Sequence, residues 1–297
     1  MPSISMYTAI IDTLLINPRT LIFSLMLSIM GSSSPASAAS LYPWIDTYRS
    51  SEAIAYRIPV PAGYERITVA PGSFQDWLRH LPLHPGKSTV YLYNGNTKPS
   101  QQLHVAVVAI DVGTENLQQC ADAIIRLRAE YLYAQQRYSD IHFNFTSGDT
   151  IPFTKWVQGY RPHVTGKEVQ WKKFREERYT YPTLQEYLKT IFTYAGSYSL
   201  EQELQPVENS NEMNIGDVFI EGGFPGHAMI VVDMAQNAVT HKRAFLLAQS
   251  YMPAQNIHLV RNPQKGESAN PWYDLDFGEE LHTPEWTFRK TQLKRFK

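Results

Sequence analysis

Residues 216–233 read GDVFIEGGFPGHAMIVVD. The pattern predicts a strand at residues 217–220, a turn built from Gly and Pro, and a second strand at residues 227–233 that opens with His227. Two more apolar runs, at residues 244–249 and 257–260, follow after turn residues. The last third of the chain is therefore predicted to be antiparallel sheet.

The longest helical pattern lies upstream, at residues 114–137, and a strand is predicted just before it, at residues 103–112. Thr114 is placed as the N-cap of this helix. Its apolar face is formed by residues at helical spacing, namely Leu117, Cys120, Ala121, Ile124, Leu127, Tyr131 and Ala134. Because the order is strands, then helices, then consecutive strands, we predict an α+β fold with a mixed or antiparallel sheet packed against this long helix.

The N-terminal 38 residues have the layout of a signal sequence. Arg19 precedes an apolar run of about ten residues, and the small residues Ala36, Ser37 and Ala38 follow it. A helix that spans a bilayer needs about 20 apolar residues. We therefore predict a cleavable signal peptide over residues 1–38 and a single exported α+β domain over residues 39–297, in the periplasm or cell envelope. Membrane contact is expected only through the signal segment; the alternatives are an uncleaved anchor or a buried N-terminal helix.

Composition narrows the possible functions. The net charge is −1, which gives no electrostatic reason to expect nucleic-acid binding. The 43% hydrophobic and 19% charged residues indicate a folded chain. His104, His142, His163 and His258 have no metal-ligand spacing with each other or with a carboxylate, and no phosphate-binding loop is present, so no metal or cofactor is predicted.

Four residues are candidates for chemistry: Cys120, His227, Asp233 and Gln249. His227 is flanked by small residues that leave its imidazole accessible. Asp233 closes the same strand, and Gln249 lies on the next one. Cys120 is the only cysteine, so it forms no intramolecular disulfide and is either a buried structural residue or a reactive one.

This arrangement resembles the papain-like cysteine hydrolases, in the branch that cleaves cell-wall peptides. In that branch a Gly-Asp-hydrophobic strand precedes a loop and a strand that begins with the catalytic His, and the nucleophilic Cys lies upstream at the start of a helix. The resemblance implies a papain-like fold, with Cys120 as nucleophile, His227 as base, and Gln249 or Asp233 orienting the imidazole. It also implies a peptide or cell-wall-like substrate.

The position of Cys120 in its helix separates two hypotheses. A helix dipole lowers a thiol pKa only within about the first turn. If Thr114 caps the helix, Cys120 lies beyond that turn, on the apolar face, where a free cysteine packs as a small hydrophobic residue. The protein is then a non-catalytic envelope protein that binds a peptide, a glycan or a protein partner. The thiol hydrolase hypothesis requires instead that residues 113–119 form a loop and that the helix begins at Cys120.

Four further segments of the sequence are distinctive: CADAIIRLRAEY at 120–131, GHA at 226–228, LAQSYMPAQ at 247–255 and TPEWTF at 283–288. Through these segments the chain resembles, over nearly its whole predicted mature length, an exported bacterial family called domain of unknown function 4846, common in Bacteroides and its relatives. The resemblance implies no particular activity.

Overall fold

A nine-stranded sheet organises the protein. In the computed structural model, which describes residues 41–266 and 270–297, every strand pair of this sheet is antiparallel. The strands in chain order are β1 (Tyr64–Arg66), β2 (His104–Val107), β3 (His142–Asn144), β4 (Thr150–Pro152), β5 (Tyr160–Thr165), β6 (Glu168–Lys173), β7 (Gln205–Pro206), β8 (Val218–Glu221), β9 (His227–Asn237), β10 (Arg243–Gln249), β11 (His258–Val260), β12 (Tyr273–Asp274), β13 (Glu280–His282), β14 (Thr287–Arg289) and β15 (Leu293–Arg295). The main sheet has the order β2-β11-β10-β9-β8-β15-β7, and β1 and β12 add to β9 and β10.

The first helix precedes β1, and the other helices lie between the strands. They are α1 (Ile54–Arg57), α2 (Phe74–Arg79), α3 (Cys120–Ala134), α4 (Phe153–Val157), α5 (Tyr181–Tyr194) and α6 (Ser197–Glu203). Short 3-10 turns lie at Ser50–Glu52, Gln101–Leu103, Tyr138–Asp140, Ser210–Glu212, Pro263–Lys265 and Lys290–Gln292. Helices together with one large antiparallel sheet confirm the predicted α+β class. The predicted signal peptide at residues 1–38 lies outside the described residues.

Strand β9 lies at the centre of the sheet and is covered on both faces. Helices α2 and α3 pack against it, and its first nine residues are buried. An aromatic cluster built around Phe219, Phe245 and Phe288 packs on the other face, with ring centroids about 6 Å apart. Because both faces are covered, the strand is apolar almost throughout instead of alternating with polar residues.

A β-bulge in β9 changes which face its side chains occupy. Val231 is paired with Leu247, whereas Asp233 is paired with Leu246. Residues paired across two strands share a face, and neighbours along a strand lie on opposite faces. His227 and Val231 therefore share the aromatic face, and Asp233 lies on the helix face. In a regular strand all three would lie on the same side.

Helix α3 begins at Cys120, and the prediction that Thr114 caps it is wrong. The carboxylate of Asp122 accepts a hydrogen bond from the backbone amide of Gln119 at 3.0 Å and so caps the first turn. The preceding loop is held by the segment after β10: Asn116 Oδ1 accepts from the Ala254 amide at 2.8 Å, and Ser250 Oγ donates to the Gln118 carbonyl at 3.0 Å. These contacts keep residues 114–119 out of the helix.

Asp233 joins the helix layer to the sheet. Its two carboxylate oxygens accept from Arg79 Nε at 2.6 Å and Arg66 Nε at 2.7 Å, and the Met234 amide donates to it at 2.9 Å. Asp233 is fully buried, and the Arg79 side chain is only 8% exposed. We expect Asp233→Ala to reduce the free energy of unfolding by about 3–5 kcal/mol, because it leaves a buried guanidinium uncompensated.

Equilibrium urea unfolding of both proteins measures this loss. The matched control is Asp140→Ala, which removes a carboxylate from an exposed pair with Arg137 and should reduce stability far less. Equal losses in the two variants would contradict the assignment.

Candidate active site

A cleft of about 480 Å³ opens where β9 begins. The first turn of α3, His227 and the turn between β8 and β9 all line it. The side chains of Tyr251 and Trp286 line it as well. The structure thus brings Cys120 and His227, which are 107 positions apart in the sequence, to one cavity.

Cys120 is the first residue of α3 and is partly exposed. Burial and the nearby Asp122 raise the pKa of its thiol to about 11, although the backbone amides of Ala121, Ala228 and Cys120 itself act in the opposite direction. Within residues 41–266 and 270–297, no hydrogen bond joins this thiol to the His227 ring. The contact with the Ala228 amide nevertheless places the sulfur beside the first residues of β9.

His227 is almost completely buried and makes one side-chain hydrogen bond, from ring nitrogen Nε2 to Gln249 Oε1 at 2.7 Å. Burial lowers its pKa to about 4, and Lys98 acts in the same direction, while the bond to Gln249 opposes this shift. The imidazole is therefore neutral at pH 7. A neutral imidazole has one donor and one acceptor nitrogen. If Nε2 carries the proton, Nδ1 is therefore the acceptor.

The surroundings of Gln249 determine that tautomer. Its amide nitrogen is 2.8 Å from Glu285 Oε2 and 3.2 Å from His258 Nε2. The Nδ1 atom of His258 donates to the Asn256 carbonyl at 2.8 Å, so its Nε2 is an acceptor. Both amide hydrogens of Gln249 are then used, and its oxygen faces His227. His227 consequently donates from Nε2 and keeps a free lone pair on Nδ1.

A buried ion pair extends this row of polar groups. Glu285 Oε1 accepts from Lys98 Nζ at 2.6 Å, and the Lys98 side chain is only 4% exposed. Lys98 also lies over the Tyr251 ring at 5.2 Å. No pattern in the sequence pointed to Lys98, His258 or Glu285 as members of the site. Glu285 belongs to the segment at 283–288 that carries the family resemblance, and that segment was the signal that could have pointed to it.

Of the two residues considered as orienting groups, the structure places Gln249 at His227 and Asp233 elsewhere. Asp233 is six residues further along β9, about 20 Å at the rise of a strand, and lies on the opposite face. Its carboxylate is used by Arg66 and Arg79. The distance along the strand already keeps Asp233 from the imidazole, and the bulge between Val231 and Asp233 also turns its carboxylate toward the helix layer.

Aromatic rings and a glycine turn fix the surroundings of the imidazole. The ring centroids of Tyr251 and Trp286 lie 4.8 and 5.4 Å from that of His227. A Cβ at Gly226 would approach the carbonyl oxygens of Gly223 and Glu221 to 2.6 and 2.8 Å, so only glycine fits directly before the histidine. The sequence predicted this tight turn but not its aromatic surroundings.

The fold and the site define an α+β protein whose central antiparallel sheet ends in a cleft that contains one thiol and one neutral imidazole. The sequence model of the family described as Domain of unknown function (4846) matches residues 54–295, and the chain belongs to that family. Neither the curated proteins nor the solved structures contain a match to this chain.

Two further features concern the part of the chain that the structure describes. No helix there is both long enough and apolar enough to cross a membrane. In the same part of the chain, no group of three or more His, Cys, Asp or Glu side chains is arranged to hold a metal ion.

The lowered pKa of His227 predicts how stability depends on pH. Below its ordinary pKa of about 6.5 the unfolded imidazole takes up a proton, whereas the folded one stays neutral down to about pH 4. The unfolded state then binds more protons, so the free energy of unfolding falls as the pH falls through this window. We expect His227 to account for about 2 kcal/mol of the loss between pH 7 and pH 5.

Urea unfolding of the wild type and of His227→Gln at these two pH values measures this contribution. The glutamine amide can still donate to Gln249, so the variant should lose less stability on acidification than the wild type. If both proteins lose the same amount, His227 does not carry a lowered pKa.

Proposed function

We propose that this protein is a thiol hydrolase or amidase that acts on peptide bonds in or near the cell envelope, with Cys120 as nucleophile and His227 as base. The observation that carries the proposal is the hydrogen bond from His227 Nε2 to Gln249. Because Glu285 and His258 fix the Gln249 amide, that bond leaves Nδ1 of His227 as a free base in a cleft lined by Cys120. The same geometry supports the papain-like interpretation of these residues.

The raised thiol pKa defines how the reaction begins. With a thiol pKa of about 11 and an imidazole pKa of about 4, the resting pair is neutral. The Cys120 proton must therefore pass to His227 Nδ1 while the sulfur bonds to the substrate carbonyl carbon. The backbone amides of Ala121 and Ala228 stabilise negative charge on the sulfur during this step.

The remaining steps use the same two residues. His227 returns its proton to the leaving amine as the carbon–nitrogen bond breaks, and a thioester to Cys120 remains. Water then attacks the thioester carbon while His227 accepts its proton, and the sulfur leaves as the thiol when that proton is returned. Gln249 holds the imidazole in one orientation throughout, and it stabilises the imidazolium through its amide oxygen.

A second candidate function is favoured by the burial that raises the Cys120 pKa. In this alternative the thiol is a structural residue, and the cleft of a non-catalytic envelope protein binds a peptide, a glycan or a protein partner. The apolar rim would suit such a ligand, since Phe224 is 93% and Met252 is 53% exposed there.

Alkylation of Cys120 by iodoacetamide in the folded protein separates the two functions. We expect labelling at pH 7 to be about tenfold slower in His227→Ala and in Gln249→Ala than in the wild type, because each variant removes a positioned base or its orientation. The matched control is His142→Ala, which removes an exposed imidazole outside this cleft and should leave the rate unchanged.

The same proteins are then incubated with cell-wall peptides. Mass spectrometry should detect released amines with the wild type and none with Cys120→Ala. If Cys120 reacts only after unfolding, or if His227→Ala labels as fast as the wild type, the binding function replaces the hydrolase.

We further propose that the N-terminal segment directs export and is removed after Ala38. The basic residue, the short apolar run and the Ala-Ser-Ala sequence at 36–38 support this. Expression of the full chain in a bacterial host should give a secreted or periplasmic protein whose N-terminal residue is Ala39, as read by intact mass. Ala38→Arg should block processing, and an unprocessed wild-type protein would contradict the proposal.

A further inference from the structure

Asp122 is an unusual member of the cleft, two residues after Cys120 in the first turn of α3. It lines the cavity and is only 5% exposed. One carboxylate oxygen accepts from the Gln119 amide at 3.0 Å, whereas the other, Oδ1, is buried without a hydrogen-bond partner. Helix capping therefore explains the position of one carboxylate oxygen of Asp122 but not that of the other.

The unpartnered oxygen needs a physical explanation. A buried carboxylate oxygen without a donor costs free energy, and native proteins satisfy most such atoms. Burial accordingly raises the pKa of Asp122 well above its ordinary value. A cationic donor at Oδ1 would satisfy the atom and favour the ionised carboxylate.

The charge of the cleft indicates what that donor is. Among the described residues that line the cavity, none is Lys or Arg. Lys98, whose charge also acts on the imidazole, is paired with Glu285. Of the lining residues within 41–266 and 270–297, Asp122 is thus the only one with a carboxyl group, in a largely apolar cavity to which these residues contribute no cationic side chain. Such a cavity favours a ligand that brings its own positive charge.

We propose that Asp122 is a specificity-determining residue whose carboxylate binds an amino group of the substrate next to the bond attacked by Cys120. This inference rests on the proposed hydrolase function and names its substrate class: amides whose acyl part bears a free ammonium group. Substrates with a carboxylate at that place are rejected, because two buried negative charges would face each other.

Binding of the ammonium also affects the thiol. Asp122 contributes to the raised pKa of Cys120, and a neighbouring positive charge cancels that contribution. An amine-bearing substrate therefore makes proton loss from Cys120 easier at the moment when it occupies the cleft.

The test compares three alkylating reagents on the folded protein at pH 8. Iodoacetamide is neutral, iodoacetate is anionic and 2-bromoethylammonium is cationic. The rate at which each reagent alkylates Cys120 is divided by the rate at which the same reagent alkylates a small neutral thiol, which corrects for the reagent's own reactivity. In the wild type we expect the cationic reagent to be favoured over the anionic one by tenfold or more. Asp122→Asn keeps an acceptor for the Gln119 amide but removes the charge, and the preference should fall to within about twofold.

Controls keep the result specific to Asp122. Glu115→Gln removes an exposed carboxylate that is paired with Lys189 and does not line this cleft, so it should retain the wild-type preference. Circular dichroism and thermal unfolding confirm that Asp122→Asn is folded. If the wild type and Asp122→Asn show the same preference while iodoacetamide labelling still depends on His227, the Asp122 proposal is overturned and the hydrolase proposal stands. If no reagent labels the folded wild type, the hydrolase proposal itself fails.

Discussion

The single extra residue in β9 determines where the polar groups of the sheet can act. Without it, His227, Val231 and Asp233 would share one face, and a buried acid would lie in the same row as the imidazole. With it, Asp233 turns toward the helix layer and binds Arg66 and Arg79. The aromatic face then keeps a histidine paired with a neutral amide. The bulge thus separates an ion cluster that supports the fold from a hydrogen-bonded pair that lies at the cleft.

The neutral partner changes the electrostatics of the site. A carboxylate at the position of Gln249 would hold His227 protonated, since an opposite charge favours the ionised imidazole. Gln249 instead orients the ring while burial keeps it uncharged. The negative charge of Glu285 lies one hydrogen bond further away and is balanced by Lys98. Hydrogen bonds link the row from Lys98 to Nε2 of His227 and leave Nδ1 of that imidazole free. Such pairing keeps a buried polar network from destabilising the core.

Much of this arrangement could be predicted from the sequence, and the errors have identifiable causes. The α+β class and the strands near residues 217–260 follow from apolar runs between turn residues, which are local signals. The start of α3 was misplaced at Thr114 because the apolar spacing continues upstream of Cys120. Contacts of Asn116 and Gln118 with the segment after β10 override that spacing. Such contacts join residues more than 130 positions apart and leave no periodic signal.

The residues of the candidate site could be predicted from the sequence only in part, for the same physical reason. Gln249 lies on the strand next to β9, so hairpin pairing alone brings it near His227. Glu285 and Lys98 reach Gln249 from distant segments with no regular pattern. Asp122 was visible only as a residue of the apolar helix, because its importance depends on where the helix begins. Once Cys120 is the first helical residue, Asp122 is the third, and its carboxylate accepts from the backbone amide of Gln119 while the residue lines the same cleft as the thiol. The capping requirement of α3 and the electrostatics of the cleft are therefore set by one side chain.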